Sequence, residues 1–228
     1  MNYFCDSFLL ENNILEKIIL QMKKITILIL LAIFPFFFSQ AQFFKAGIVG
    51  GLNASQIDGD NEGGFTKLGV NAGFISQVDI TENWYLNFEI LYAQKGSAPA
   101  FGTFRYFKIQ TDYAEMPLTI KYHDKKGGLI FGAGLSLERL VRAKFFNEFG
   151  ADVSELYFVD TGKPKDWNLS GVLEGTYMFN PVWGINLRFS KSILPYRTDS
   201  SSQFRNFGQF HRSVAVRTIF LFSAFGEK

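Results

Sequence analysis

The chain has 228 residues, 47% hydrophobic and 17% aromatic, with 27 Phe, 21 Gly and a single Cys. So much apolar surface excludes a disordered chain, and one Cys excludes an internal disulfide. The 23 Lys+Arg against 21 Asp+Glu leave a net charge of +2, too small for a nucleic-acid-binding face, so no nucleic-acid partner is expected.

The first element begins at Met22, where Lys23-Lys24 precede an apolar run from Ile25 to Phe38 and then Ser39-Gln40-Ala41. A basic start, a short apolar core and a small exit residue make a secretory signal peptide, with cleavage expected after Ala41. The run of 14 residues contains Pro35 and is shorter than the ~20 residues of a spanning helix. Translation is expected to start at Met22. Residues 1–41 then form the leader, and 42–228 one domain from which Cys5 is absent.

Eight segments of period-two alternation follow, at 44–55, 68–80, 84–95, a stretch ending at His123, 129–141, 167–179, 182–194 and 211–222. In the third, Trp84, Leu86, Phe88, Ile90 and Tyr92 point one way, while Tyr85, Asn87, Glu89, Leu91, Ala93 and Lys95 point the other. Each segment has about the length of a tilted membrane strand, ~9–11 residues. The connections alternate: Thr81-Glu82-Asn83, the turn from His123 to Gly128 and Asn180-Pro181 are short, whereas 56–67, 96–106, 142–166 and 195–210 are long. Short periplasmic turns and long outward loops mark outer-membrane barrels. The expected fold is therefore all-β, an eight-stranded antiparallel up-and-down transmembrane β-barrel in the outer membrane of a Gram-negative bacterium, with both termini periplasmic. A lipocalin-like soluble barrel needs a polar exterior, which the nearly charge-free apolar sets deny it. A β-sandwich gives no reason for the rhythm of the connections.

Trp84, Tyr122, Tyr177, Phe179, Trp183 and Phe222 fall at the expected periplasmic strand ends, and Tyr92, Phe107 and Trp167 near the outer ends. Amphipathic rings collect at both membrane interfaces, so Trp84, Tyr92, Tyr122, Trp167 and Trp183 are the expected aromatic girdle.

Several stretches carry a family resemblance: Ala46-Gly47 with Gly51-Leu52-Asn53-Ala54-Ser55, LNFEILYAQKG at 86–96, DYAEMPLTIKYH at 112–123, FGAG at 131–134, LSGVLEGTY at 169–177, and Arg217 with Phe222. Together they resemble the small outer-membrane β-barrels of Bacteroidota-type bacteria, the porin-family or PorT-like proteins. The chain departs from that pattern at Ser223–Lys228, which extend past Phe222 and leave Phe222 and Phe225 both eligible as the assembly signal. It departs again at Phe189–Tyr196, where Lys191 and Pro195 replace a glycine-containing segment. The resemblance implies outer-membrane lipids, lipopolysaccharide and the barrel-assembly machinery as partners, with surface or secretion proteins besides.

Eight strands enclose a space that side chains fill. Its inward set holds Glu89, Glu115 and Glu174 against Arg188 and Arg217, with Lys95, Lys121 and Glu138 nearer the ends. An unpaired charge in a narrow lumen is far costlier than a paired one. A closed ion-pair network centred on Arg188 and Arg217 is expected, and a thin ion-conducting path is the alternative. Gly69, Gly73, Gly132 and Gly134 read as sites of bending and close packing. His123 and His211 lack catalytic or zinc spacing; His211, Ser213 and Ser200–Ser202 near the outer rim are the candidates for lipid modification, which the inward parity that His211 shares with Ser213 disfavours. Asp58, Asp60 and Glu62 lack a full calcium-loop pattern. No enzyme activity, cofactor or metal is expected. Lys95, Arg105, Lys108, Arg142, Lys144, Arg205 and Arg212 gather toward the outer strand ends, where pairing with lipopolysaccharide phosphates and plain solvated loop charge are equally good accounts. The resulting expectation is a structural or surface-interaction protein acting through outer loops, especially 142–166, with a narrow pore or an accessory role in secretion as alternatives.

Overall fold

The computed structural model describes residues 44–59, 64–100, 107–124, 126–197 and 208–222. The leader with Cys5 and Met22, together with Asp60, Glu62, Arg105, Ser200–Ser202, Arg205 and Phe225, lies outside the described residues. The elements in chain order are β1 (Phe44–Asp58), β2 (Lys67–Asp79), β3 (Trp84–Ser97), β4 (Lys108–Asp124), β5 (Leu129–Phe146), α1 (Ser154–Thr161), β6 (Trp167–Met178), β7 (Trp183–Ser192) and β8 (Phe210–Leu221). Each strand pairs antiparallel with the next, and β8 returns to β1, closing an eight-stranded up-and-down barrel.

Alternation sorts the side chains in the sense opposite to that of a water-soluble protein. Phe74 on the outside is 67% exposed, while Glu89 and Asn87 on the inside are 0% exposed. Tight hydrogen-bonded turns join the strands at one end. Ile80 N–H donates to the Trp84 carbonyl at 2.8 Å, and Phe179 N–H to that of Trp183 at 2.8 Å. The Asn180 carboxamide oxygen accepts from Val182 and Trp183 N–H at 2.9 and 2.8 Å. Gly128 adopts φ 67°, a left-handed conformation that an ordinary residue resists, to turn β4 into β5. An even number of strands brings the first and last to this same end, where Phe222 N–H donates to the Ala46 carbonyl at 2.7 Å.

The other end differs from the sequence expectation. β5 does not stop at Val141 but runs to Phe146, 18 residues in all, beside a 17-residue β4. The ladder slips there: Tyr113 pairs with Leu140 and Asp112 with Arg142, leaving Val141 unpaired as a bulge. One extra residue exchanges the two faces, so a strict period-two reading loses the strand at that point. The long connection shortens to 147–166 and contains α1. β4 and β5 therefore rise well past the length a membrane strand needs.

Candidate lumen network and outer face

The lumen is layered along its axis. On the side formed by β8, β1, β2 and β3, Val49, Ile75, Leu91, Ile219 and Leu221 make an apolar cluster. Beside it Arg217 and Arg188 meet Glu89 and Glu174. Arg217 donates from Nη1 to Glu89 at 2.8 Å and Asn71 at 3.3 Å, from Nη2 to Glu174 at 3.2 Å, and from Nε and Nη2 to Asn186 Oδ1 at 2.9 and 2.7 Å. Arg188 Nη2 reaches Glu89 at 2.8 Å and Glu174 at 2.9 Å, and Lys121 Nζ lies 3.1 Å from Glu174. Register builds this group. Glu174 is the cross-strand partner of Arg188, and Asn186 that of Arg217, while Glu89 crosses the lumen from β3. Asn87 donates to Glu89 Oε1, the oxygen that also takes Arg188, and Thr119 to Glu174 Oε1 beside Lys121, at 2.9 Å each.

Glu115, expected in this central group, belongs instead to a second tier. It stands directly opposite Glu138 across β4 and β5, a pairing of like charges that is unfavourable unless a cation intervenes. Lys95 supplies it, 2.5 Å from Glu115 and 2.8 Å from Glu138, and Asn168 donates to Glu138 at 3.1 Å. The lower tier holds Lys121, Arg188 and Arg217 against two carboxylates, and the upper Lys95 against two. The single surplus charges are opposite in sign, so among the described residues these eight buried groups sum to neutrality. Asn87, Thr119, Asn168 and Asn186 were not singled out as candidates from sequence, although each has inward strand parity.

An aromatic layer covers the upper tier. Tyr113 Oη lies 3.3 Å from His211 Nε2, and the Tyr196 ring is 4.4 Å from the imidazole. Ile57, Ile109 and Tyr196 pack with Phe107 and Phe145. Tyr157 of α1 stacks on Phe145 at 3.7 Å with the rings 2° from parallel, and Arg197 Nη2 donates to its hydroxyl at 2.9 Å. His211 thus sits inside an aromatic cap. Ser213 is buried too, 2.7 Å from Ser190. Among the described residues no three His, Cys, Asp or Glu side chains gather as a metal site.

The family model for the outer membrane protein beta-barrel domain matches residues 38–195. The chain belongs to that family. Similar solved structures include Ail, the attachment invasion locus protein of Yersinia pestis, in complex with the heparin analogue sucrose octasulfate. It is 11% identical with a TM-score of 0.49, covering 79% of this chain and all of that one. Neisserial surface protein A is 12% identical with a TM-score of 0.40, over 78% of this chain and 97% of that one. OprG of Pseudomonas aeruginosa is 13% identical with a TM-score of 0.32, over 79% and 94%. No curated protein matches the chain.

As an outer-membrane barrel the chain presents its apolar face to lipid. Trp84 pairs with Tyr122, ring centroids 5.0 Å apart, and Trp183 with Phe220 at 5.0 Å, all at the short-turn end. Tyr92 and Trp167 occupy the opposite half of the outer face, where the Arg139 guanidinium lies 5.2 Å from the Trp167 ring centre. The basic residues expected near the outer rim separate by strand face. Lys95 is buried in the lumen and cannot reach lipid, because its odd position on β3 points inward. Arg142 Nε donates to Asp112 at 2.7 Å, Lys144 to Asp152 at 2.9 Å, and Arg212 Nε lies 2.7 Å from Asp58. The ion pair draws Asp58 toward β8, and Gln56 donates to its other oxygen at 3.0 Å.

Proposed function

We propose that this is a non-conducting, non-enzymatic barrel that works through the surface at its long-connection end, of the PorT-like kind found in Bacteroidota-type bacteria. On this reading residues 42–228 are exported by a signal peptide cut after Ala41, inserted by the barrel-assembly machinery with both termini periplasmic, and held among outer-membrane lipids and lipopolysaccharide. The observation that carries it is the electrically neutral double tier of ion pairs beneath an aromatic cap. A solute would have to break several charge-assisted bonds in a low-dielectric space to pass. In planar bilayers the purified barrel is expected to give no stable single-channel steps. Steady steps from the unaltered protein would overturn the proposal. One observation favours a narrow pore as second reading: Arg188 Nε and Nη1 and Ser136 Oγ have no hydrogen-bond partner among the described residues, so water can occupy the lumen beside them. Conductance abolished by Arg188→Ala would decide for that pore.

The contact surface is the 147–166 connection. Phe149 and Val159 are 85% and 80% exposed, with Leu156 also exposed, apolar side chains held out on an ordered scaffold. Asn147 Oδ1 accepts from Phe149 and Ala151 N–H at 3.0 and 2.9 Å. Ser154 Oγ accepts from Phe145 N–H at 2.9 Å while donating to Asp152. Protein capture from gently solubilised outer membrane is expected to disappear in a Phe149→Ser, Leu156→Ser, Val159→Ser variant. Unchanged capture would remove this surface. An accessory role in secretion predicts lost export of cargo on deletion, with the envelope otherwise intact.

The same scaffold is expected to resist acid. The Ser154 hydroxyl, then the Lys144 ammonium, hold the Asp152 carboxyl down to about 2, from an ordinary value of 3.8. A depressed carboxylate contributes order above its unfolded pKa and loses it as pH falls through the folded one. Amide exchange across 147–166, relative to intrinsic rates, should stay slow at pH 4 and quicken below pH 2. Asp152→Asn should erase that step, and a step near pH 4 in the unaltered chain would contradict the assignment.

A further inference from the structure

We propose that the outward face of β4 and β5, above the aromatic girdle, binds the headgroup of a phosphorylated glycolipid. The bulge at Val141 creates this face. Below it Glu138 and Leu140 point into the lumen. Past the unpaired residue the parity exchanges, and Arg142 and Lys144 turn outward opposite Asp112 and Gln110, with Phe146 opposite Lys108. Arg139, opposite Ala114, completes the column from below. Without the bulge two of these cations would be buried in the lumen.

The charge is not balanced locally. Asp112 binds Arg142, and Asp152 binds Lys144. Lys108 and Arg139 have no carboxylate at ion-pair distance among the described residues. They rest instead over rings, Lys108 at 5.6 Å from Phe146, which Lys144 also approaches at 6.0 Å, and Arg139 over Trp167. An ammonium or guanidinium over a ring keeps donors free for an anion. Beside the column lies a groove of about 650 Å³, lined by Arg142, Lys144, Asp152, Ser154 and, on the α1 side, Glu155 and Leu156. It sets Arg142 and Lys144 next to the apolar side chains of Val153 and Leu156, with Asp152 and Glu155 on the same lining.

The height of the column selects the ligand. Lys108 and Ala114, the partner of Arg139, are separated along β4 by about 20 Å at ~3.3 Å per residue. A tilt of ~35–45° leaves roughly 15 Å along the membrane normal. A simple phospholipid offers phosphate at one depth, and its layer would meet only Arg139 and Arg142. A glycolipid phosphorylated on successive sugars offers anions at several heights and meets the whole column.

The site rests on outward placement of these strand ends and not on the closed lumen, so conductance leaves it untouched. In discs carrying the same lipid on both faces its test is also independent of membrane orientation. The full barrel would be placed in phosphatidylcholine nanodiscs containing rough-type lipopolysaccharide, the same lipopolysaccharide after phosphate removal, or phosphatidylglycerol, and its heat-induced gel-mobility transition followed. Lipopolysaccharide should raise the transition temperature, and the other two lipids should not, since only binding to the folded state shifts it. A Lys108→Gln, Arg139→Gln, Lys144→Gln variant should need at least about tenfold more lipopolysaccharide for half the shift, from the loss of charge-assisted hydrogen bonds. Lys108→Gln alone, at an outward position, should need several-fold more, which keeps the test open if the triple variant does not assemble. Lys191→Gln, on the outward face of β7, should change nothing. Equal response to phosphatidylglycerol, equal affinity in the variants, or an equal loss with Lys191→Gln would overturn the proposal.

Discussion

Replacing Arg217 by Met is expected to destabilise the barrel by about 3–5 kcal/mol, the cost of breaking a buried ion pair from one side. Of the four tier cations, Lys95, Lys121, Arg188 and Arg217, the last has the most partners. Its guanidinium joins β2, β3, β6 and β7 through Asn71, Glu89, Glu174 and Asn186, from a side chain with no solvent exposure. Met fills much of the volume but leaves Glu89 Oε2 and Asn71 Oδ1 without a cation or donor. The check is the urea midpoint for loss of the heat-modifiable folded form in lipid vesicles. A second substitution separates charge from packing. In Arg217→Met with Glu89→Gln, the lower tier keeps Glu174 between Arg188 and Lys121, and about half of the lost stability should return. If the single variant loses less than about 1 kcal/mol, or the double variant recovers nothing, the ion pairs do not hold the lumen together.

The two tiers also explain why the charges are spread over so many strands. A pair on adjacent strands, such as Glu174 and Arg188, would satisfy itself without regard to the rest of the barrel. Contacts from β3 to β7 and β8, as Glu89 makes with Arg188 and Arg217, form only once the sheet has closed. The network therefore couples closure to the burial of charge, and the closed sheet leaves no edge exposed to lipid.

Much of this architecture is legible in the sequence, because alternation reports the face of each residue directly. Trp84 and Phe88 outward, Glu89 and Arg217 inward, and the short and long connections follow from period two and the turn residues alone. What alternation does not report is height. Glu115 and Glu89 have the same parity, yet register sets Glu115 against Glu138 and next to Lys95, a full tier away from Arg217. Lys95 has a basic side chain close to a loop, which suggests the rim, and only its inward parity tells against that. The Val141 bulge is invisible for a related reason: an inserted residue breaks the pattern by which strands are recognised, so the last turn of β5 reads as loop. α1 has no apolar periodicity to announce it, being anchored chiefly by one ring, Tyr157 on Phe145.

Substituting Gly51 by Ala is expected to prevent the barrel from closing. Gly51 lies on the inward face of β1, paired with Asn71 on β2 and Arg217 on β8. A methyl group there would run into the Val216 carbonyl oxygen and come within 2.6 Å of Arg217 Cα. These are backbone atoms of the neighbouring strand, which cannot rotate aside as a side chain could. Gly47, four residues earlier on the same seam, would meet the Phe220 carbonyl and Leu221 Cα at 2.9 Å in the same way. The glycines thus let β1 cross close over β8 where the last strand joins the first, and part of the chain's glycine excess is a requirement of closure. Overpacking a side-chain core costs about 1–3 kcal/mol. Pushing backbones apart also breaks ladder hydrogen bonds and shifts Arg217 from its carboxylates, so Gly51→Ala should leave little or no heat-modifiable folded barrel. Gly50 supplies the contrast. Its added methyl would face outward with only Ala72 Cβ nearby, at an ordinary 3.9 Å, and Gly50→Ala should fold within about 0.5 kcal/mol of the parent, as surface changes do. Similar urea midpoints for the two variants would show that the seam is not closely packed, and would detach the glycine content from the closing of the sheet.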